Sequence, residues 1–248
     1  MPCGTWSDFF LPSLERLFHT TSSRFTTPKE EANMAITANG KDTGRRYRFE
    51  RLTLPIILRD LYFNKDDPGP GDRVPEFDLP TVDGGRFRSR DFAEIGPVLL
   101  IVGSSTCPMT DSAAPGLNEL HLRFGDRVRF VMVNVREAHP GQTFPQPRTF
   151  GAKITHAERL RDLHVFGFEI AVDDLDGSLH RALSPKPNSA YVIGADGTIL
   201  FRAHWANDAG ALAAAMDAVV AGKLPRHSQS SGLARSMSAH DSQSGARS

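Results

Sequence analysis

Cys107 is the residue with the most chemistry to offer. It follows the run "VLLIVGSST" and is followed at once by Pro108 and by the small helix formers of "MTDSAAP". That places a thiol where a strand hands over to a helix. The first turn of a helix carries unpaired N–H groups and a partial positive charge. A sulfur there is stabilised as thiolate, so its pKa is expected below the free value of about 8.5. Pro108 suits the first helical position, where a missing N–H is not needed. Thr110 adds a hydroxyl three residues beyond the sulfur, able to donate a hydrogen bond to a thiolate. A cysteine so placed serves as nucleophile or redox centre.

The cysteine count narrows this. The chain has two cysteines, and the other is Cys3, far away in sequence. Thr110 stands where the second cysteine of a C-x-x-C pair would be, so dithiol exchange in the manner of thioredoxin is disfavoured. A sulfenic acid at Cys107 would be resolved by an external thiol or, as a lesser route, by Cys3. The competing reading makes Cys107 a small buried apolar residue, as free cysteines commonly are.

His139 is the second candidate. It follows the apolar run "RFVMVNV" within "EAHP", residues 137–140. A strand end in an open α/β sheet is where ligands bind. A neutral imidazole there can take a proton from a thiol or give one to a leaving group. Arg148 and Lys153, in the loop that follows, could also approach the thiolate and rank below His139. His121, His156, His164, His180 and His204 have no cysteine or carboxylate at metal-ligand spacing and read as surface or helix residues. Asp173, Asp174 and Asp176 read as a solvated turn and helix cap, so no metal is expected.

The elements that would position this chemistry follow from periodicity. "PVLLIVG" (97–103) and "RVRFVMVNV" (127–135) are apolar runs suited to strands buried on both faces. Pro108 to about Phe124 reads as a helix, with Leu117, Leu120 and Phe124 on one face. Residues 136–154 read as a long functional loop. "THAERLRDLHVF" (155–166) reads as a helix with Thr155 as N-cap and Glu158 completing a capping box. "FEIAVDD" is a strand. "SAYVIGADGTILFRAHW" is a hairpin turning at residues 195–197, and "AGALAAAMDAVVAG" (209–222) is a closing helix. "EFDLPTVDGGRFRSRDF" holds a hairpin around Asp83-Gly84-Gly85. The order predicts an α/β fold with a mixed sheet covered on both faces.

Outside this domain the pattern changes. Residues 1–46 read as a disordered or loosely attached extension, with Met34 an alternative start, and residues 223–248 as a Ser-rich free tail. Residues 47–70 read as a docking helix and linker, helical despite Pro55. The domain proper spans 71–222. Formal net charge is zero, so no nucleic-acid partner is expected. No run approaches the roughly 18 apolar residues of a membrane span. Few cysteines and a poor signal sequence point to a reducing compartment, the cytosol.

These motifs resemble the thioredoxin-fold superfamily, in its peroxiredoxin and thiol-specific-antioxidant branch. The resemblance to the iodothyronine deiodinase family is closer. It rests on Gly103-Ser104-Ser105-Thr106-Cys107-Pro108 and on Glu137-Ala138-His139-Pro140, and covers roughly residues 71–220. It implies a thioredoxin-like three-layer α/β/α sandwich with a mixed sheet. It implies that Cys107 is catalytic and that His139 handles substrate or a proton. Ser104, Thr106, Pro108, Thr110 and Glu137 would form the site shell. Asn188 or Ser189, just after Pro187, would face Cys107. Two positions depart from the animal enzymes. Ser105 replaces an extra cysteine, and Ser189 replaces an arginine that holds iodothyronine. What carries over is fold and thiol chemistry, not the hormone.

The function expected is therefore a single-cysteine thiol oxidoreductase reducing a halogenated organic compound or a peroxide. It would need no cofactor beyond an external thiol or thioredoxin-like donor, and a homodimer is a possible assembly. The alternative is a non-catalytic thioredoxin-fold binding module or redox sensor.

Overall fold

The computed structural model describes residues 47–223, all within the unit formed by residues 38–248. The expectations for residues 1–46 and 224–248, Cys3 included, lie outside the described residues. A first helix, α1 (Leu54–Leu61), starts with Pro55 in its first turn, where proline is tolerated. A hairpin follows, β1 (Asp78–Pro80) with β2 (Arg86–Arg88). Gly84 in its turn has φ +82, which glycine adopts without steric cost. A short helix α2 (Phe92–Ile95) then leads into β3 (Val98–Gly103).

Next come α3 (Pro108–Phe124), β4 (Arg129–Asn134), α4 (Phe150–His164) and β5 (Glu169–Val172). The chain ends with α5 (Ser178–Leu183), β6 (Ala190–Ile193), β7 (Ile199–Ala203) and α6 (Ala209–Val220). Five strands form one sheet in the order β5-β4-β3-β6-β7. β3, β4 and β5 are parallel, and β6 and β7 run antiparallel to their neighbours.

Side chains alternate across this sheet because the strand period is two. Leu99, Ile101, Phe130 and Met132 face α3, α4 and α6, where Leu117, Leu160 and Leu212 close the layer. Val98, Leu100, Val131 and Val133 face the other way, onto Phe87, Phe92, Leu179 and Leu183 of the hairpin, α2 and α5. The result is an α/β/α sandwich with a mixed sheet.

The long loop is shorter than the sequence suggests. α4 begins at Phe150, capped by Thr149, whose hydroxyl accepts a bond from the Ala152 N–H at 3.2 Å. Thr155 is inside the helix and donates to the Gly151 carbonyl, so the capping box is not used. The early start is stabilised by Lys153, Ala157 and Leu160, which are buried on one face. Two short helices, α2 and α5, are absent from the periodicity because each offers only about one turn of pattern.

Asp173 corrects the expectation of a solvated turn. It is fully buried, and its carboxylate accepts the N–H groups of Asp174, Leu179 and His180 at the start of α5. Burial pushes its carboxyl pKa up, opposed by the Lys153 charge.

Candidate functional site

The register of β3 against β4 places the two motifs side by side. Gly103 pairs with Asn134, so the segments that leave both strands emerge at one sheet edge. The ladder continues one step further through Val135 N–H to Gly103 O at 3.1 Å. Side chains then take over. Ser104 Oγ accepts the Ala138 N–H at 3.2 Å. Thr106 donates both its N–H, at 2.9 Å, and its hydroxyl, at 2.8 Å, to Glu137 Oε2. Thr106 Oγ1 also accepts the His139 N–H at 3.1 Å.

Glu137 is fully buried at the centre of this stitching. Its other oxygen, Oε1, meets His156 Nδ1 at 2.9 Å. Gln146, from the loop after β4, clamps the Glu137 backbone with two bonds of 3.0 and 2.8 Å. Phe144 from the same loop stacks on the His156 ring at 4.0 Å. A continuous polar chain therefore runs from Thr106, next to the sulfur-bearing residue, through Glu137 to His156.

Cys107 occupies the N-cap of α3 with Pro108 in the first turn. Its carbonyl accepts the N–H groups of Thr110 and Asp111 at 2.9 and 3.2 Å. Thr110 Oγ1 lies 3.4 Å from the Ser104 N–H and 3.4 Å from Asn188 Nδ2. The ionisation expectation is corrected here. Cys107 is 1% exposed, and burial pushes its thiol pKa up. The backbone N–H groups of Thr110 and Met109 and the Thr110 hydroxyl pull it down by less. The helix end is in place, but desolvation of the charged form outweighs it.

An apolar cavity of about 270 Å³ opens above the sulfur. Cys107, Pro108 and Met109 of one loop and Arg136, Ala138 and His139 of the other line it. Phe49, Leu52, Ile57, Asp60 and Leu61, from residues 49–61, also line it, as do His180, Pro187 and Trp205. Cys107 and His139 thus share one cavity, with His139 exposed at its rim.

Of the other residues singled out, Pro108 also lines the cavity. Ser104, Thr106, Thr110 and Glu137 lie behind it as bracing. Asn188 and Ser189 do not line the cavity, although Asn188 Nδ2 lies 3.4 Å from Thr110 Oγ1. Asn188 donates to the Val102 carbonyl at 3.1 Å and accepts the Ala206 N–H at 3.2 Å. The Ser189 carbonyl takes the Val102 N–H. From this segment Pro187 shares the cavity lining with Cys107, and its peptide bond is trans. The two cations proposed near the thiolate are elsewhere. Arg148 is exposed, 3.7 Å from Glu50, and buried Lys153 donates to the Asp174 carbonyl at 2.8 Å.

Three cavity or relay residues are not evident from the sequence. Arg136, one position before the "EAHP" motif, is buried and donates from Nη2 to Asp60 Oδ2 at 2.6 Å. His156 carries the carboxylate partner that spacing alone did not reveal. His180 is buried, with Nε2 2.7 Å from the Lys186 carbonyl and Nδ1 2.8 Å from Tyr47 Oη. A carbonyl only accepts, so Nε2 carries the proton and Nδ1 accepts from the tyrosine. Burial and the Arg136 charge hold the His180 pKa well below its usual value, so the ring is neutral. The position of Arg136 beside the motif was the available signal for it. Nothing local marks His156 or His180.

No family model matches the chain, and no curated protein does. Solved structures do. An uncharacterized conserved protein from Geobacillus kaustophilus aligns with a TM-score of 0.54 at 18% identity, over 66% of this chain and 88% of its own. A hypothetical protein from Sinorhizobium meliloti aligns at 0.53 and 19% identity, over 66% and 91%. A protein described as a DsbE-type thiol:disulfide interchange protein, from Chlorobium tepidum, aligns at 0.50 and 21% identity, over 62% and 99%. The fold is thioredoxin-like. At these identities the likeness is one of fold, so the site must be argued from its own atoms.

Proposed function

We propose that this chain is a single-cysteine thiol oxidoreductase of deiodinase-like type, reducing a small halogenated organic compound or a peroxide at Cys107. The observation that carries the reading is the shared cavity of Cys107 and His139, with the sulfur at a helix N-cap and an apolar space above it. Thr110 stands in place of a second cysteine, so the partner thiol comes from outside or, as a lesser route, from Cys3. A reducing compartment such as the cytosol would supply it.

In the proposed step the sulfur loses its proton to His139 and attacks the halogen or the terminal peroxide oxygen. The organic fragment leaves with the bonding pair and takes a proton, which His139 returns. Cys107 is left as a sulfenyl halide or sulfenic acid. One external thiol displaces halide or water to give a mixed disulfide, and a second releases Cys107 with formation of the external disulfide. Turnover with dithiothreitol against iodinated phenols and organic hydroperoxides tests the reading. Turnover absent in Cys107→Ser supports it, and no turnover of either class by the native chain removes it.

A second reading, a binding module or redox sensor, is favoured by one observation. Burial raises the Cys107 pKa, which slows a thiol that must act unaided. Ligand binding at the cavity without any turnover would establish that reading instead.

A further inference from the structure

We propose that residues 49–61 are the substrate-selecting wall of the Cys107 cavity, latched by the Asp60–Arg136 ion pair, and that they admit small, uncharged, apolar molecules. The proposal names the substrate class of the oxidoreductase site and rests on that reading only for the word substrate.

The wall is made of side chains from one short segment. Phe49, Leu52, Ile57 and Leu61 all face the cavity. Polar contacts from Arg136 and Lys186 help hold the segment and the adjoining Tyr47 to the sandwich, beside the exposed Glu50–Arg148 pair at 3.7 Å. Arg136 donates to Asp60 at 2.6 Å and to the Tyr47 carbonyl at 2.9 Å, and Lys186 Nζ donates to the Arg59 carbonyl at 3.1 Å. The Arg136 guanidinium also lies 4.8 Å from the ring centres of both Tyr47 and Phe49. On the outer face of α1, Leu54, Leu58 and Tyr62 are 65%, 57% and 55% exposed. The segment is therefore held from its inner side by a few side-chain contacts centred on one ion pair. Such a piece can open without unfolding the sheet.

Charge and size decide what passes. Asp60 neutralises Arg136, and His180 is a neutral ring donating to a carbonyl. Among the described residues that line the cavity, no guanidinium is left free for a carboxylate and no carboxylate is left free for an amine, and the exposed His139 is the one remaining titratable base. A charged ligand would lose its hydration there without gaining a partner. The cavity volume of about 270 Å³ lies below the roughly 300–1,000 Å³ of sites for drug-sized ligands, which leaves room for a molecule of one or two rings.

Alkylation of Cys107 tests this without any turnover. The full chain carrying Cys3→Ser has a single thiol, and each rate is divided by that of glutathione with the same reagent. Iodoacetamide and iodoacetate differ in charge at nearly equal size. N-ethylmaleimide and N-pyrenylmaleimide differ in size and are both neutral. In the otherwise native chain the neutral and the small reagent should each be favoured by at least about tenfold, since the alternatives require an unpaired buried charge or an opened wall. Asp60→Asn unlatches the wall and frees the Arg136 charge, so both preferences should fall toward one. Phe49→Ala leaves the latch intact, so only the size preference should fall. Preferences near one in the native chain, or unchanged in folded Phe49→Ala, overturn the proposal. If Asp60→Asn does not fold, Phe49→Ala decides alone. A chain that shows both preferences but no turnover keeps the wall and loses the oxidoreductase reading.

Discussion

The two sides of the cavity are built in different ways. The loops carrying Cys107 and His139 extend the parallel register of β3 and β4, and Ser104, Thr106, Glu137 and Gln146 satisfy one another there. The proposed wall, residues 49–61, leans on the sandwich through one buried ion pair, hydrogen bonds from Arg136 and Lys186 and apolar contact. A group registered by backbone pairing cannot move without breaking the sheet, whereas a group held by side chains can. On the proposed reading, the reactive atoms sit on the fixed side and access lies on the looser side.

The largest effect expected is on the fixed side. Cys107→Ser should abolish turnover with iodinated phenols or hydroperoxides, and His139→Ala should lower it by roughly 10²–10⁴-fold, the usual weight of a general acid or base. Unchanged turnover and thiol reactivity in His139→Ala would make it a rim residue.

Stability should separate the two sides next. Glu137→Ala removes a buried carboxylate that accepts from both Thr106 donors and meets His156, so chemical denaturation should report a loss of about 3–5 kcal/mol. Asp60→Ala also strips a buried charge of its partner. There the wall can swing out and let Arg136 reach water, so the global loss should be nearer about 1–2 kcal/mol. Amide exchange across Leu54–Leu61 should speed up in that variant while β3 and β4 stay protected. Equal global losses in the two variants would break the comparison.

Acid should act through His180. Its folded pKa is depressed, so the unfolded chain binds the proton first. The stabilisation is complete above the unfolded value of about 6.5 and is lost as pH falls below it, by up to about 1.4 kcal/mol per pH unit. Melting temperatures between neutral and mildly acidic pH should show this fall, and His180→Gln should reduce it.

The smallest effect concerns the thiol itself. The raised Cys107 pKa places the midpoint of its alkylation rate above that of an ordinary thiol. A midpoint below about 8.5 would show that the helix end outweighs burial after all.

The site was legible in the sequence to the extent that it was local. A cysteine before a helix-starting proline, and a histidine just past an apolar run, could be placed at one sheet edge because two parallel neighbours end together. Pro187, and not Asn188 or Ser189, lines the cavity from the segment before β6, a one-residue distinction that sequence pattern does not resolve. The ionisation of Cys107 was misjudged for another reason. A helix end is visible in sequence, but the burial that opposes it arises only once segments distant along the chain pack around Cys107.

By itself, then, the sequence determined the alternation of buried strands and helices, the mixed sheet and the cap position of Cys107. These depend on periodicity and capping within a few residues. Only the tertiary structure decided that Arg136 is spent on Asp60, that His156 completes a chain through Glu137 and that His180 is neutral. Those pairings join residues far apart along the chain. Burial fixes their charge states, and burial exists only once the layers have packed.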